Sequence, residues 1–187
     1  MGEARRRQSD GKMSDMTRPT FKFLNTCKAL ELVRFTDQHG THWALVGERG
    51  NEMLLLLFLN NPPYCANAMG PRDNLQQPFD RTPVLSYGTN YTIRVDHAGD
   101  CEVGMIGNLI SAHGSYVMTA NYDFICCKDN RRSGGAASYY DLKTGNVRSE
   151  PGGERAVFAR WELALKGEPL TVLLQVQANK SPGHPKG

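Results

Sequence analysis

Aromatic rings and cations gather in one part of this chain. Tyr122, Asp123 and Phe124 end a run of strand-type residues, and a second ring pair, Tyr139-Tyr140, stands a few residues on. Exposed rings in loops are costly, so a loop bearing Tyr and Phe beside a Tyr-Tyr pair reads as a contact surface. Between the two ring groups lie Lys128, Arg131 and Arg132. Such cations can meet a phosphate, or be drawn to anionic lipid at about 1 kcal/mol per charge near the surface. The other reactive side chains form weaker patterns. His39, His42, His97 and His113 all fall at expected turns, and no CxxC or HxxxH spacing accompanies them. Asp96, Asp100 and Glu102 beside His97 make an ordinary charged turn. No nucleophile elbow or phosphate loop is present. The residues therefore point to binding rather than to an enzyme, with no catalytic residue, metal ligand or cofactor assigned.

The elements that would position these residues are mostly strands. Val103 to Ile110 and Tyr116 to Tyr122 read as a pair joined by the turn Ser111-Ala112-His113-Gly114. Leu32 to Phe35, Trp43 to Val46, Met53 to Leu59, Val84 to Tyr87 and Tyr91 to Val95 read as further strands. Val157 to Leu165 and Leu170 to Val176 form a closing hairpin around Lys166-Gly167-Glu168-Pro169. Asn60 to Arg81, with Pro62, Pro63, Pro71 and Pro78, reads as a long loop. Two short helices are expected. One follows Pro19, where Phe23, Leu24, Cys27 and Leu30 share a helical face; the other lies near Tyr139 to Leu142. Many short strands with one or two helices predict a mainly β fold, a β-sandwich or small barrel.

At 187 residues the chain reads as one domain, residues 19–178, between a disordered basic tail over 1–18 and a disordered tail over 179–187. A net charge of +3 and the lack of an aromatic-basic array argue against a nucleic-acid partner. The N-terminus has no apolar stretch of signal-peptide type, and the longest apolar run, Met53 to Leu59, is far too short to span a bilayer. The expectation is a soluble chain that associates with membranes by docking, with secretion or a cytoplasmic location left open. The five cysteines, Cys27, Cys65, Cys101, Cys126 and Cys127, are odd in number and favour reduced thiols.

The order of pieces resembles the actinoporins, the sea-anemone pore-forming cytolysins and their relatives. The resemblance runs through Phe21-Lys22-Phe23-Leu24, then Asp37 and Gly40-Thr41-His42-Trp43, then Val103-Gly104-Met105-Ile106, Ala120-Asn121-Tyr122-Asp123-Phe124 and Tyr139-Tyr140-Asp141-Leu142. It implies a β-sandwich flanked by two short α-helices. It implies binding of a membrane lipid with a phosphocholine head group, as in sphingomyelin, and assembly with copies of itself on the membrane. Aromatic faces would hold the quaternary ammonium, while hydroxyls and a basic side chain would meet the phosphate. The matching head-group positions are Val103, Thr119, Tyr122, Tyr139 and Tyr140, and the membrane-contact loop is Phe124, Cys126, Cys127, Lys128, Arg131 and Arg132. Cys126 and Cys127 stand where the family carries interfacial aromatics, which implies weakened or altered lytic activity. The fungal fruit-body lectins share the fold, so a carbohydrate-binding module is the alternative.

Overall fold

The computed structural model describes residues 18–49, 53–59, 63–67, 81–97, 105–111, 123–129, 137–149, 156–167 and 169–178. It is mainly β, with two sheets and, among the described residues, no α-helix. The larger sheet holds β1 (Thr20–Phe23), β2 (Leu32–Asp37), β3 (Gly40–Arg49), β4 (Met53–Phe58), β5 (Tyr64–Asn67) and β6 (Pro83–Ser86). It continues with β8 (Leu109–Ser111), β9 (Phe124–Asp129), β10 (Ala137–Asp141), β11 (Val147–Arg148) and β12 (Ala156–Phe158). Its main path runs β1-β6-β2-β3-β4-β5-β9-β10-β11, and β8 joins β9 to β12. The smaller sheet is β14-β13-β7, from β7 (Tyr91–His97), β13 (Arg160–Leu165) and β14 (Thr171–Gln177).

Period-two alternation assigns each strand residue to a face. On the face toward the smaller sheet, Leu32, Leu45, Leu55, Leu57, Ile125 and Tyr140 join Trp161, Leu163, Leu165 and Val176 in one buried cluster. On the other face, Val33, Phe35, Ala44, Val46, Leu56, Phe58 and Val84 pack with Leu24 and Cys27. The strands at the centre are apolar on both faces because both are covered, which is why Leu55, Leu56 and Leu57 follow one another as an unbroken run.

The larger sheet also curls back on itself. Glu48 of β3 bridges Asn146, and its N–H donates to the Gly145 carbonyl at 3.0 Å. The Val46 carbonyl beside this contact accepts the Leu30 N–H at 2.8 Å and the Tyr140 hydroxyl at 2.6 Å. Leu30 holds a left-handed φ of 70° to make its bond, a conformation that costs a side-chain-bearing residue energy and so needs support from its surroundings. That support includes the Tyr91 hydroxyl, which donates to the Leu30 carbonyl at 3.2 Å.

Several expectations are corrected. The helix expected after Pro19 is instead strand β1 followed by the 3-10 turn Leu24–Thr26. Phe21-Lys22-Phe23 already alternates with period two, and four backbone pairings to β6 outweigh the short helical pattern. The helix expected near Tyr139 to Leu142 is strand β10, held between β9 and β11. The long loop of 60–81 contains strand β5, and the described part of Val103 to Ile110 is a turn at Ile106-Gly107 leading into β8. The closing hairpin is present as β13 and β14, but the first strand expected over Val157 to Leu165 is split, Val157 and Phe158 lying on β12 of the larger sheet. The tails over 1–17 and 179–187, and the strand expected over 116–122, lie outside the described residues.

Candidate functional site

The Tyr139-Tyr140 pair does not form a single site. Neighbouring residues of a strand point to opposite faces. Tyr140, fully buried, points between the sheets, and burial pushes its hydroxyl well above the usual tyrosine range. Tyr139 points to the other face, where it packs with Ile110, Phe124 and Cys126. The expected membrane-contact loop is likewise a correction. Phe124, Cys126 and Cys127 lie on strand β9 and are buried, Phe124 and Cys126 against Ile110 and Tyr139 on one face and Cys127 in the inter-sheet cluster on the other. Of that loop's described residues only Lys128 is exposed. Asp123, at the expected tip, is buried and pairs with the Lys143 ammonium. Val103, Thr119, Tyr122, Arg131 and Arg132 lie outside the described residues.

A different set of aromatics does converge. Trp43 of β3 is opposite Arg34 of β2, Arg34 is opposite Leu85 of β6, and Leu85 is opposite Phe21 of β1. Paired residues share a face, so this row crosses four adjacent strands, about 14 Å at the usual inter-strand spacing. It lies on the same face as the inter-sheet core but towards the β1 edge. Arg34, Trp43, Leu85 and Tyr87 are half-buried, and Phe21 and Phe23 are 63% and 49% exposed. The Arg34 guanidinium carbon sits 5.7 Å from the Trp43 ring centroid, and the Tyr87 ring lies 5.2 Å from that of Trp43. Phe21 and Phe23 touch edge to face at 5.9 Å. The row therefore offers ring faces, an apolar shelf and a cation whose positive charge already rests on an aromatic face.

The opposite face of β1 anchors this edge. Lys22 donates to both carboxylate oxygens of the buried Glu31, at 3.0 and 2.9 Å, and the Ser86 hydroxyl and the Lys28 N–H donate to the same group. Burial alone would raise the Glu31 pKa. The hydrogen bonds from Ser86, Lys22 and the Lys28 backbone, with the Lys22 charge, outweigh it and hold the carboxyl below its ordinary 4.5. A depressed folded pKa contributes stability that is present above the unfolded value and lost as pH falls through the folded one. The melting temperature is thus expected to drop as pH falls below about 4.5, and Glu31→Gln to flatten that drop. An unchanged pH profile in the variant, followed by circular dichroism, would contradict this role.

A second polar group, Asp37 with His42, lies on the same face as Glu31, Nε2 to Oδ1 at 2.8 Å, with the His42 ring against Phe35 and Phe58. Phe58 stacks flat on Tyr64 at 4.7 Å, which leaves no room for a ligand between those rings. Among the described residues no cluster of three metal-binding side chains occurs, and no helix is long and apolar enough to cross a membrane.

Sequence reasoning missed the aromatic row because its members come from four separated segments. The available signal was the alternation of Arg34 and Trp43 with core residues, which marks them as lying on a core-facing side without burying fully. Comparison of the chain with protein-family models, with curated proteins and with solved structures finds no match in any of the three.

Proposed function

We propose that this chain is a β-sandwich binding module of actinoporin-like type that takes a phosphocholine head group of a membrane lipid at the row Arg34, Trp43, Tyr87 and Phe21. The observation that carries the reading is the guanidinium of Arg34 over the Trp43 ring. A ring face that holds one cation in half-solvated surroundings can hold a quaternary ammonium in the same way, at about 0.5–2 kcal/mol. Arg34, displaced from the ring, then meets the phosphate through its fork of donors. Tyr87 supplies a second face, and the exposed Phe21 and Phe23 supply apolar surface beside the site. The aromatic positions drawn from the resemblance, Tyr139 and Tyr140, are not needed for this.

Free phosphocholine is expected to bind the protein measurably by calorimetry. Trp43→Ala should weaken binding about tenfold. Arg34→Ala should weaken it and reduce its dependence on salt. Absence of any heat with phosphocholine would remove the lipid reading. The same flat, half-exposed Trp43 and Tyr87 faces favour one second reading, a sugar ring stacked on them. Glycan binding lost in Trp43→Ala, without phosphocholine binding, would establish that alternative.

A further inference from the structure

Cys65 and Cys127 are 62 positions apart, yet their sulfurs are 3.3 Å apart. Both are fully buried on the inward face, and neither is in a disulfide. The Cys127 thiol also lies 3.4 Å from the Ser138 carbonyl oxygen, to which it donates. A disulfide has an S–S length of about 2.05 Å, so the sulfurs must approach by little more than an ångström. Because Cys65 pairs with Asp129 rather than with Cys127, β5 and β9 must also shift as the seam between them opens. The two residues sit at a thinly joined seam of the larger sheet. Among the described residues β5 and β9 run parallel and pair at two positions, Tyr64 with Lys128 and Cys65 with Asp129, against four for β4–β5 and five for β9–β10. Parallel pairing is also slightly weaker per residue. Local opening of a seam so held would admit a small oxidant to thiols that are otherwise enclosed.

We propose that Cys65 and Cys127 are a covalent modification site, a latent disulfide that a hydroperoxide closes and that staples β5 to β9. One thiolate attacks a peroxide oxygen, the O–O bond breaks, and a sulfenic acid and water result. The second sulfur then attacks the sulfenic sulfur, the S–S bond forms, the S–O bond breaks, and a second water leaves. The thiols together lose two electrons and two protons, and hydrogen peroxide is reduced to water. The adjacent pair Cys126-Cys127 does not compete. The Cys126 side chain faces the other side of the sheet, where burial pushes its thiol to about 12. Cys27 belongs to a separate cluster.

The test treats the full chain with hydrogen peroxide, alkylates the remaining thiols and maps disulfides by peptide mass spectrometry. The expected product links Cys65 to Cys127, has lost two hydrogens, melts at a higher temperature than the reduced chain, and reverts with dithiothreitol. Cys65→Ser should abolish the linked peptide and the rise in melting temperature together, while Cys126→Ser should keep both. A linkage through Cys27, Cys101 or Cys126 instead, or oxidation that stops at sulfenic or sulfinic acid on single cysteines, would overturn the proposal. So would a Cys65–Cys127 bond that leaves the melting temperature unchanged, because the stapling of the seam would then be absent.

Discussion

Tyr140→Ala is expected to lower the stability of the protein by about 3–5 kcal/mol, the usual cost of truncating a large buried aromatic. The ring is fully buried in the inter-sheet cluster, where there is no room for neighbours to collapse without moving strands. Its hydroxyl is part of the structure as well, donating to Val46 at 2.6 Å where β10 meets β3. Tyr140→Phe separates the two contributions and should cost about 1 kcal/mol, since the Val46 carbonyl keeps its bond from Leu30. Urea unfolding checks both, read as a shift in midpoint at unchanged slope. A Tyr140→Ala protein as stable as the parent would mean that the residue is a surface ligand group after all. Tyr139→Ala should also destabilise, because its ring is 7% exposed beside Phe124 and Cys126.

Gly47→Ala is expected to be comparably damaging although it adds a single methyl group. A Cβ there would stand 2.5 Å from the Gly145 carbonyl oxygen, 2.7 Å from Leu55 Cδ1 and 2.7 Å from Tyr140 Cε2. One of those atoms is backbone, and the other two belong to fully buried side chains, so none can swing away cheaply. Overpacking of this kind costs about 1–3 kcal/mol and more where backbone must shift. The backbone in question is the Glu48–Gly145 contact through which the sheet closes on itself. Gly47 and Tyr140 share this junction, so their effects should not add. In a Tyr140→Ala background the alanine at position 47 loses one of its three clashes, and a double-mutant cycle should show coupling of about 0.5–3 kcal/mol. Additive behaviour would mean that the two residues do not pack against each other in solution.

Both predictions concern residues whose roles were hard to read along the chain. Tyr139-Tyr140 and Phe124-Ile125-Cys126-Cys127 look in sequence like rings and thiols crowded into a loop. They are β9 and β10, and the unbroken apolar character of Phe124 to Cys127 reflects burial on both faces rather than an exposed tip. A short apolar run has the same composition in either setting, and only its neighbours distinguish them. The β13–β14 hairpin was legible because Trp161, Leu163 and Leu165 alternate with Arg160 and Glu162 and a Gly-Pro turn follows. Strand β1 was not, because the alternation of Phe21-Lys22-Phe23 is too short to outweigh the helical spacing of Phe23, Leu24, Cys27 and Leu30, and its fate rests on hydrogen bonds to β6, some sixty residues away.

The sequence by itself therefore determined that the chain is mainly β and where most of its strands fall, since alternation and turn residues are local properties. The tertiary structure decided which rings meet. It sent Tyr139 and Tyr140 to opposite faces, aligned Phe21, Leu85, Arg34 and Trp43 into one row, and set Cys65 against Cys127. Those outcomes depend on strand order and register, which hydrogen bonds between distant segments fix, and a shift of one residue in any of those pairings would send each side chain to the other face.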